Sequence, residues 1–297
     1  MSRRILLISG AAVILVAAAA AVGFAVTRND DDSPDLPGRI AVVDGCGLRH
    51  MWPDGTDRRR LCLKDIWASA SLSFDGRKLA WDTNASSALG VMVGDADGTH
   101  EHVLPVPQGV NVEPSLSPDA KRIAFLHSPA DDGRYDIWET STSSSSDVAQ
   151  QVTAVRNVSS VAWSPKGDWL VYVKDWSEDT LEGKIVLVHP DGDDERLLGK
   201  GDEPAWAPDG KRIVLTRGGS LWTVALEGSR RLLVRNGQAP AWSRDGKQIA
   251  FMREEKCGGP SCKERVFLVF TDGREPRAVG PTFAPGRRIL WLPDPHE

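Results

Sequence analysis

The chain lacks the linear signatures that usually announce an enzyme. It has no Gly-x-Ser-x-Gly elbow, no His-Glu-x-x-His pair and no Gly-rich phosphate loop leading into a helix, so the simple α/β-hydrolase, zinc-protease and P-loop readings fall. It also has no excess of positive charge. With 36 Lys and Arg against 41 Asp and Glu, a net charge of -5 and a pI of about 5.7, no nucleic-acid partner is expected. Cysteine is scarce, at four residues, and their spacings are not the paired short loops of a zinc site. Helical patterning is sparse beyond residue 26. One enzyme class stays open, because carboxylates distant in sequence can still converge on one place.

What the chain has instead is repetition. Aligned on Trp206, residues 203–217 have siblings at Leu72-Ser-Phe-Asp-Gly76, Leu116-Ser-Pro-Asp-Ala120, Trp163-Ser-Pro-Lys-Gly167, Trp242-Ser-Arg-Asp-Gly246 and a shortened Phe283-Ala-Pro-Gly286. Each copy is an apolar anchor, a small residue, a tight turn and an apolar run such as Leu79-Ala-Trp81 or Ile249-Ala-Phe251, which reads as strand, turn, strand. The turn chemistry has a mechanism. Pro sets φ at the first corner, Asp bonds its own backbone, and Gly supplies the positive φ where the hairpin reverses. Where Ala120 stands in place of Gly, the turn must differ or carry mild strain. The anchors are 44, 47, 43, 36 and 41 residues apart, the length of a four-stranded propeller blade.

An Asp-Gly type turn before a basic strand recurs at five places: Pro53-Asp-Gly55, Asp97-Gly98, Pro190-Asp-Gly192, Glu227-Gly228 and Asp272-Gly273. Together with the Ser-Pro-Asp-Gly core, this resembles the TolB-type, WD40-like propeller repeat. The resemblance covers roughly residues 38–292. It implies an all-β fold, a six-bladed β-propeller of four-stranded antiparallel blades. It also implies a cell-envelope protein or peptide as partner, captured at the channel mouth. The chain departs from the best-known member of that family in having no separate α/β domain before the propeller, so residues 38–297 are expected to form one monomeric propeller. The first blade lacks an innermost strand of its own. Residues 281–284 match the innermost-strand pattern, and residues 288–292 compete with them for the closure.

The N-terminus reads as an anchor. Residues 1–4 form a basic stub with Arg3 and Arg4, and residues 5–26 are 22 residues without a charge, long enough as a transmembrane helix for a bilayer core that needs about 20. With the positive residues first, a single-pass signal anchor places the propeller on the extracytoplasmic side of the cell membrane. Small residues at Ala19, Ala21, Gly23 and Ala25 keep secretion after cleavage as the alternative. Residues 27–37, with Asp30, Asp31, Asp32, Pro34 and Pro37, form an acidic linker. In an extracytoplasmic domain four cysteines read as disulfides, and the blade register favours Cys46 with Cys62 and Cys257 with Cys262.

In a propeller the innermost strands line the channel, so residues at their starts decorate one mouth. Counting three back from each anchor gives Ser69, Glu113, Ser160, Glu203, Ala239 and Gly280, with Asp202 and Gln238 one step further out. Glu113, Ser160, Asp202, Glu203 and Gln238 are the candidate binding residues, suited to a cation, a basic peptide or a polar ligand. No catalytic residue, metal ligand or cofactor is assigned. Calcium enters only under the alternative function, a metal-dependent hydrolase or lactonase-like propeller with its site at the channel mouth. Asp95-Ala-Asp97-Gly98 reads as a hairpin turn, because it lacks the later ligands of a calcium loop. His100 and His102, on one strand face, supply two metal ligands at most. The Arg58-Arg59-Arg60 cluster reads as a solvated edge. Trp163, Trp206 and Trp242, at one repeat position, read as core wedged between blades.

Overall fold

The computed structural model describes residues 38–44, 47–63, 65–84, 89–143, 148–255, 263–284 and 288–291. Its described residues form strands and turns, and the strands are paired antiparallel throughout. The first three strands are β1 (Ile40–Asp44), β2 (Gly47–Met51) and β3 (Arg59–Cys62). A second sheet runs β4 (Ile66–Leu72), β5 (Lys78–Thr83), β6 (Gly90–Asp95), β7 (His102–Val103), and a third runs β8 (Val110–Leu116), β9 (Arg122–Ser128), β10 (Asp136–Ser141), β11 (Gln150–Gln151). Next come β12 (Val158–Trp163), β13 (Leu170–Ser177), β14 (Glu182–Val188), β15 (Arg196–Trp206), β16 (Arg212–Arg217), β17 (Ser220–Ala225) and β18 (Arg230–Arg235), joined as one seven-stranded sheet. Strand β15 serves two ladders there. Its residues 196–201 pair with β14 and residues 202–206 with β16. The last sheet is β19 (Gln238–Trp242), β20 (Gln248–Glu254), β21 (Glu264–Phe270) and β22 (Arg277–Phe283), after which β23 (Ile289–Trp291) returns to pair with β1.

In four units the repeat motif makes the first hairpin through one serine. Ser117 Oγ donates to Asp119 at 2.7 Å and accepts the Arg122 N–H at 2.9 Å, while the Ala120 N–H closes the turn on Ser117 O at 2.9 Å. Ser73, Ser164 and Ser243 repeat this arrangement with Asp75, Asp168 and Asp245. These serines are almost fully buried, as is Ala207 at the same position, which is why the position admits only a small side chain. Ala120 keeps the common turn and takes φ 56°, a left-handed conformation that favours glycine.

Because strand side chains alternate faces, each sheet buries both sides, against the sheet before and the sheet after. Val43 and Leu48 pack with Leu79 and Trp81, Ala80 and Val93 with Ile123 and Phe125, and Ala124 and Ile137 with Trp163 and Tyr172. Val171 and Leu187 meet Ile213 and Leu215, and Val214 and Leu221 meet Trp242 and Phe251. Met252 and Val266 close the circle on Ile40 and Val42. The sheets therefore stand around one axis in a propeller-like ring. Side chains stitch the inner strands to one another. The Leu116 N–H donates to Ser71 Oγ (2.8 Å), the Trp163 N–H to Ser115 Oγ (3.1 Å), Trp206 Nε1 to Ala162 O (3.2 Å), and Trp291 Nε1 to Ala241 O (3.0 Å).

The closure falls to residues 289–291. Ile40, Ala41 and Val42 pair with Trp291, Leu290 and Ile289, whereas Pro281, Thr282 and Phe283 belong to β22, the outermost strand of the preceding sheet. The shortened Phe283 copy is therefore not an inner-strand anchor. Trp291 is, and Trp291-Leu-Pro-Asp294 repeats the Trp-x-Pro-Asp signature in the sequence. Cys62 is a free, exposed thiol at the end of β3, opposite Gly47. Its expected partner Cys46, together with Cys257 and Cys262, lies outside the described residues. The transmembrane segment expected at residues 5–26 and the linker at 27–37 lie outside them too.

Candidate functional site

The inner strands share a local distortion just where the candidate residues sit. Glu113, Glu203 and Ala239 each precede a proline and take φ of 57°, 52° and 49°. Each falls where the ladder skips a residue, between Val112 and Ser115, Asp202 and Ala205, and Gln238 and Ala241. A bulge re-aims side chains, and a left-handed non-glycine residue costs on the order of 1–3 kcal/mol. The return is visible in the contacts. Glu203 Oε2 accepts from Thr216 Oγ1 at 2.7 Å and from the Ala239 N–H of the next inner strand at 2.6 Å. Glu113 forms an ion pair with Arg288, which is 4% exposed.

Arg288 stands where sequence counting placed Gly280. Three residues back from Trp291 is Arg288, while Gly280 lies in the outermost strand β22 with its Cα against Met51. A second residue missed from sequence is Asp82, fully buried on β5. Its Oδ1 accepts the Ala68 and Ser69 N–H groups at 2.8 and 2.7 Å, and its Oδ2 accepts Ser69 Oγ at 2.6 Å. Asp202 is buried, accepting Trp176 Nε1 at 2.8 Å and the Glu203 N–H at 2.8 Å. Gln238 donates to Glu264. Ser160 is 3% exposed and its Oγ has no hydrogen-bond partner among the described residues.

These groups share one electrostatic environment. Burial pushes the Glu113 carboxyl up to about 7, outweighing the attraction of Arg288, and the nearby Asp82 and Asp202 charges push the same way. Burial likewise raises Asp202 to about 7, helped by the neighbouring Glu203 and opposed by Arg288. Asp82 is raised by burial against its bonds from Ser69 and Ala68. One guanidinium thus serves three buried carboxylates. Of the residues expected at the mouth, Glu113 and Asp202 are held in these internal contacts, while Ser160 and Glu203 line a cavity.

That cavity, of about 250 Å³, is lined by residues of β4, β8, β12, β15, β19 and β23. Its inner part meets Pro114, Ser160, Glu203 and Pro240; its outer part meets the repeat turns, at Phe74, Pro118, Pro165, Pro208 and Arg244. The turns interlock around this end, since Gly167 and Gly210 leave room for Pro118 and Pro165 of the preceding turn. Phe74 is 49% exposed, and the Arg244 guanidinium lies 6.0 Å from its ring centre. A Trp- and Pro-walled cavity with few polar groups suits binding better than bond-breaking chemistry.

A profile of the TolB β-propeller domain matches residues 57–244. The chain belongs to the TolB β-propeller family. Among solved structures it is similar to TolB from Acinetobacter baumannii, at 19% identity over 88% of this chain and 68% of that one, with a TM-score of 0.70. It is also similar to a putative TolB from Agrobacterium tumefaciens, at 16% identity over 88% of this chain and 100% of that one, TM-score 0.64. An oligogalacturonate lyase solved in complex with manganese shares 16% identity over 82% of this chain and 74% of the lyase, TM-score 0.54. At these identities the structural likenesses speak to the TolB fold alone. No curated protein matches the sequence.

The histidines do not form a site. His100 sits in a turn at φ 52° with Nδ1 on Asp95 at 2.7 Å, and His102 Nε2 reaches Thr142 O at 3.0 Å. Asp95 and Gly98 close a hairpin turn, as expected. Among the described residues no group of three His, Cys, Asp or Glu is placed to hold a metal ion.

Proposed function

We propose that this TolB-family chain is a six-bladed propeller, held at the cell membrane by residues 5–26 with the propeller on the extracytoplasmic side, and that it acts as a monomeric protein-interaction platform in the envelope. Counting β15 in both its ladders, six four-stranded units follow one another around the axis. In that oxidising location Cys62, a free thiol here, would pair with Cys46, and Cys257 with Cys262. The observation that carries the function is the division of the channel. Its carboxylates are committed to internal bonds at one end, and its accessible cavity is apolar and ringed by Pro, Trp and Phe74. Such a wall captures a peptide segment of an envelope protein by apolar contact, with Arg244 at the rim to meet an acidic side chain.

The alternative, a metal-dependent hydrolase or lactonase-like propeller, draws support only from the likeness to the manganese-bound lyase. One experiment separates the two. Tagged full-length protein is recovered from native envelope with and without chelator, beside a Phe74→Ser/Arg244→Glu variant. A partner retained by the parent and lost by the variant supports capture at the turn-lined end. A partner held equally by both overturns that location, and a metal released by chelator together with a fall in Tm favours the enzyme reading.

A further inference from the structure

Charge is unevenly divided along the chain. Residues 65–195 hold 9 Lys and Arg against 22 Asp and Glu, whereas residues 196–291 hold 18 against 10. Within the basic half, Lys200 on β15, Arg217 at the end of β16 and Arg230 at the start of β18 line one crevice, floored by Leu198, Leu215 and Trp222. It lies on the outside of the ring, where β15 passes from one ladder to the next. Lys200 stands there between Gly199 and Gly201, whose φ angles of 152° and 154° mark the twist of that crossing.

The three cations have no carboxylate partner among the described residues, although their neighbours do. Lys184, directly across the ladder from Lys200, binds Asp175 at 2.7 Å. Arg212, at the other end of β16, reaches Asp209 at 3.3 Å. Glu182, the acid that reaches the β16–β17 turn, accepts the Gly218 N–H at 2.9 Å. Three like charges in one crevice repel one another, and an anion bound there relieves the repulsion. Arginine supplies the planar fork that fits a phosphate or carboxylate. Trp222 is only partly buried, so it adds a flat apolar face of the kind that covers the C–H face of a sugar ring. The crevice itself holds about 10 Å³, room for roughly one oxygen atom, so a ligand places an anionic oxygen inside and lies across the opening.

We propose that Lys200, Arg217 and Arg230, with Trp222, form a binding site for an anionic sugar, one bearing a phosphate or carboxylate group. The site is independent of the channel and of the partner captured there. The test uses the full chain at low ionic strength, with glucose 6-phosphate, glucuronate, inorganic phosphate and glucose as separate probes in a thermal-shift titration. The sugar phosphate, the sugar acid or both raise Tm; which of them does so identifies the source of the anion. Glucose leaves Tm unchanged, and inorganic phosphate binds more weakly than the better sugar. Arg217→Gln and Arg230→Gln each weaken binding by about tenfold, the loss of one charge-assisted contact. Without ligand, Arg230→Gln keeps or raises the parent Tm, because it removes repulsion rather than a contact. No shift with either sugar anion, or a shift that survives both substitutions, overturns the site. Inorganic phosphate matching the sugars overturns the sugar assignment.

Discussion

At the residue scale the repeat is governed by one hydroxyl. Ser117 bridges the two strands of its hairpin by donating to Asp119 and accepting the Arg122 N–H. Ser117→Ala is expected to cost about 1 kcal/mol, the usual net worth of a buried hydrogen bond, and more where the Arg122 N–H is left unsatisfied. The copy at Ala207 lacks the hydroxyl but keeps the turn, with the Gly210 N–H on Ala207 O at 2.9 Å and Asp209 holding the Lys211 N–H at 2.9 Å. Ala207→Ser should therefore gain up to about 1 kcal/mol. Urea unfolding of the two variants checks both signs, and equal effects at the two positions would argue that the serine matters only for its size. This layer was legible in the sequence, because every bond in the turn joins residues within five positions of one another.

At the element scale the decisive strand is the shortest of the inner set. β23 has three residues, yet it joins the two ends of the chain. Its Trp291 is 6% exposed, packs with Ile40, Ala241 and Met252, and donates to Ala241 O. Arg288, just ahead of it, accepts the Val43 N–H through its carbonyl at 3.2 Å and meets Glu113 across the channel. Trp291→Ala is expected to lose about 3–5 kcal/mol by emptying a buried aromatic site. Phe74→Ala, at a half-exposed position, should stay within about 0.5 kcal/mol of the parent. A mild effect at Trp291 in chemical denaturation would mean that the ring closes by other contacts. The sequence pointed to residues 281–284 because Pro-Thr-Phe-Ala resembles the anchor pattern as well as Ile-Leu-Trp does. Strand pairing broke the tie, since residues 279–283 are taken by β21 and only residues 289–291 reach β1.

At the scale of the whole molecule the buried charges set a pH dependence. Glu113 and Asp202, each near 7 in the folded protein against 4.5 and 3.8 in the unfolded chain, bind protons more tightly when folded. The stability they contribute is present at low pH and is lost as pH rises through about 7. Asp82, also raised, adds the same sign. His50, pushed by burial down to about 4 from 6.5, works in the other direction, costing stability as pH falls below 6.5, and the lowered His127 joins it. Between pH 5 and 7 Glu113 and Asp202 together outweigh His50, so stability should decline as pH rises across that window. Glu113→Gln mimics the protonated acid and should flatten the decline, which urea unfolding at a series of pH values reads directly; an unchanged slope would remove Glu113 from the cause. The sequence by itself determined the repeat, the hairpin turns, the tryptophan positions and the family, because each is written in residues close together along the chain and recurs. The tertiary structure alone decided that residues 289–291 close the ring, that Arg288 meets Glu113, and that a cavity among the turns is lined by all the inner strands. Those outcomes join residues more than a hundred positions apart, and their energies come from burial and charge pairing that no local pattern encodes.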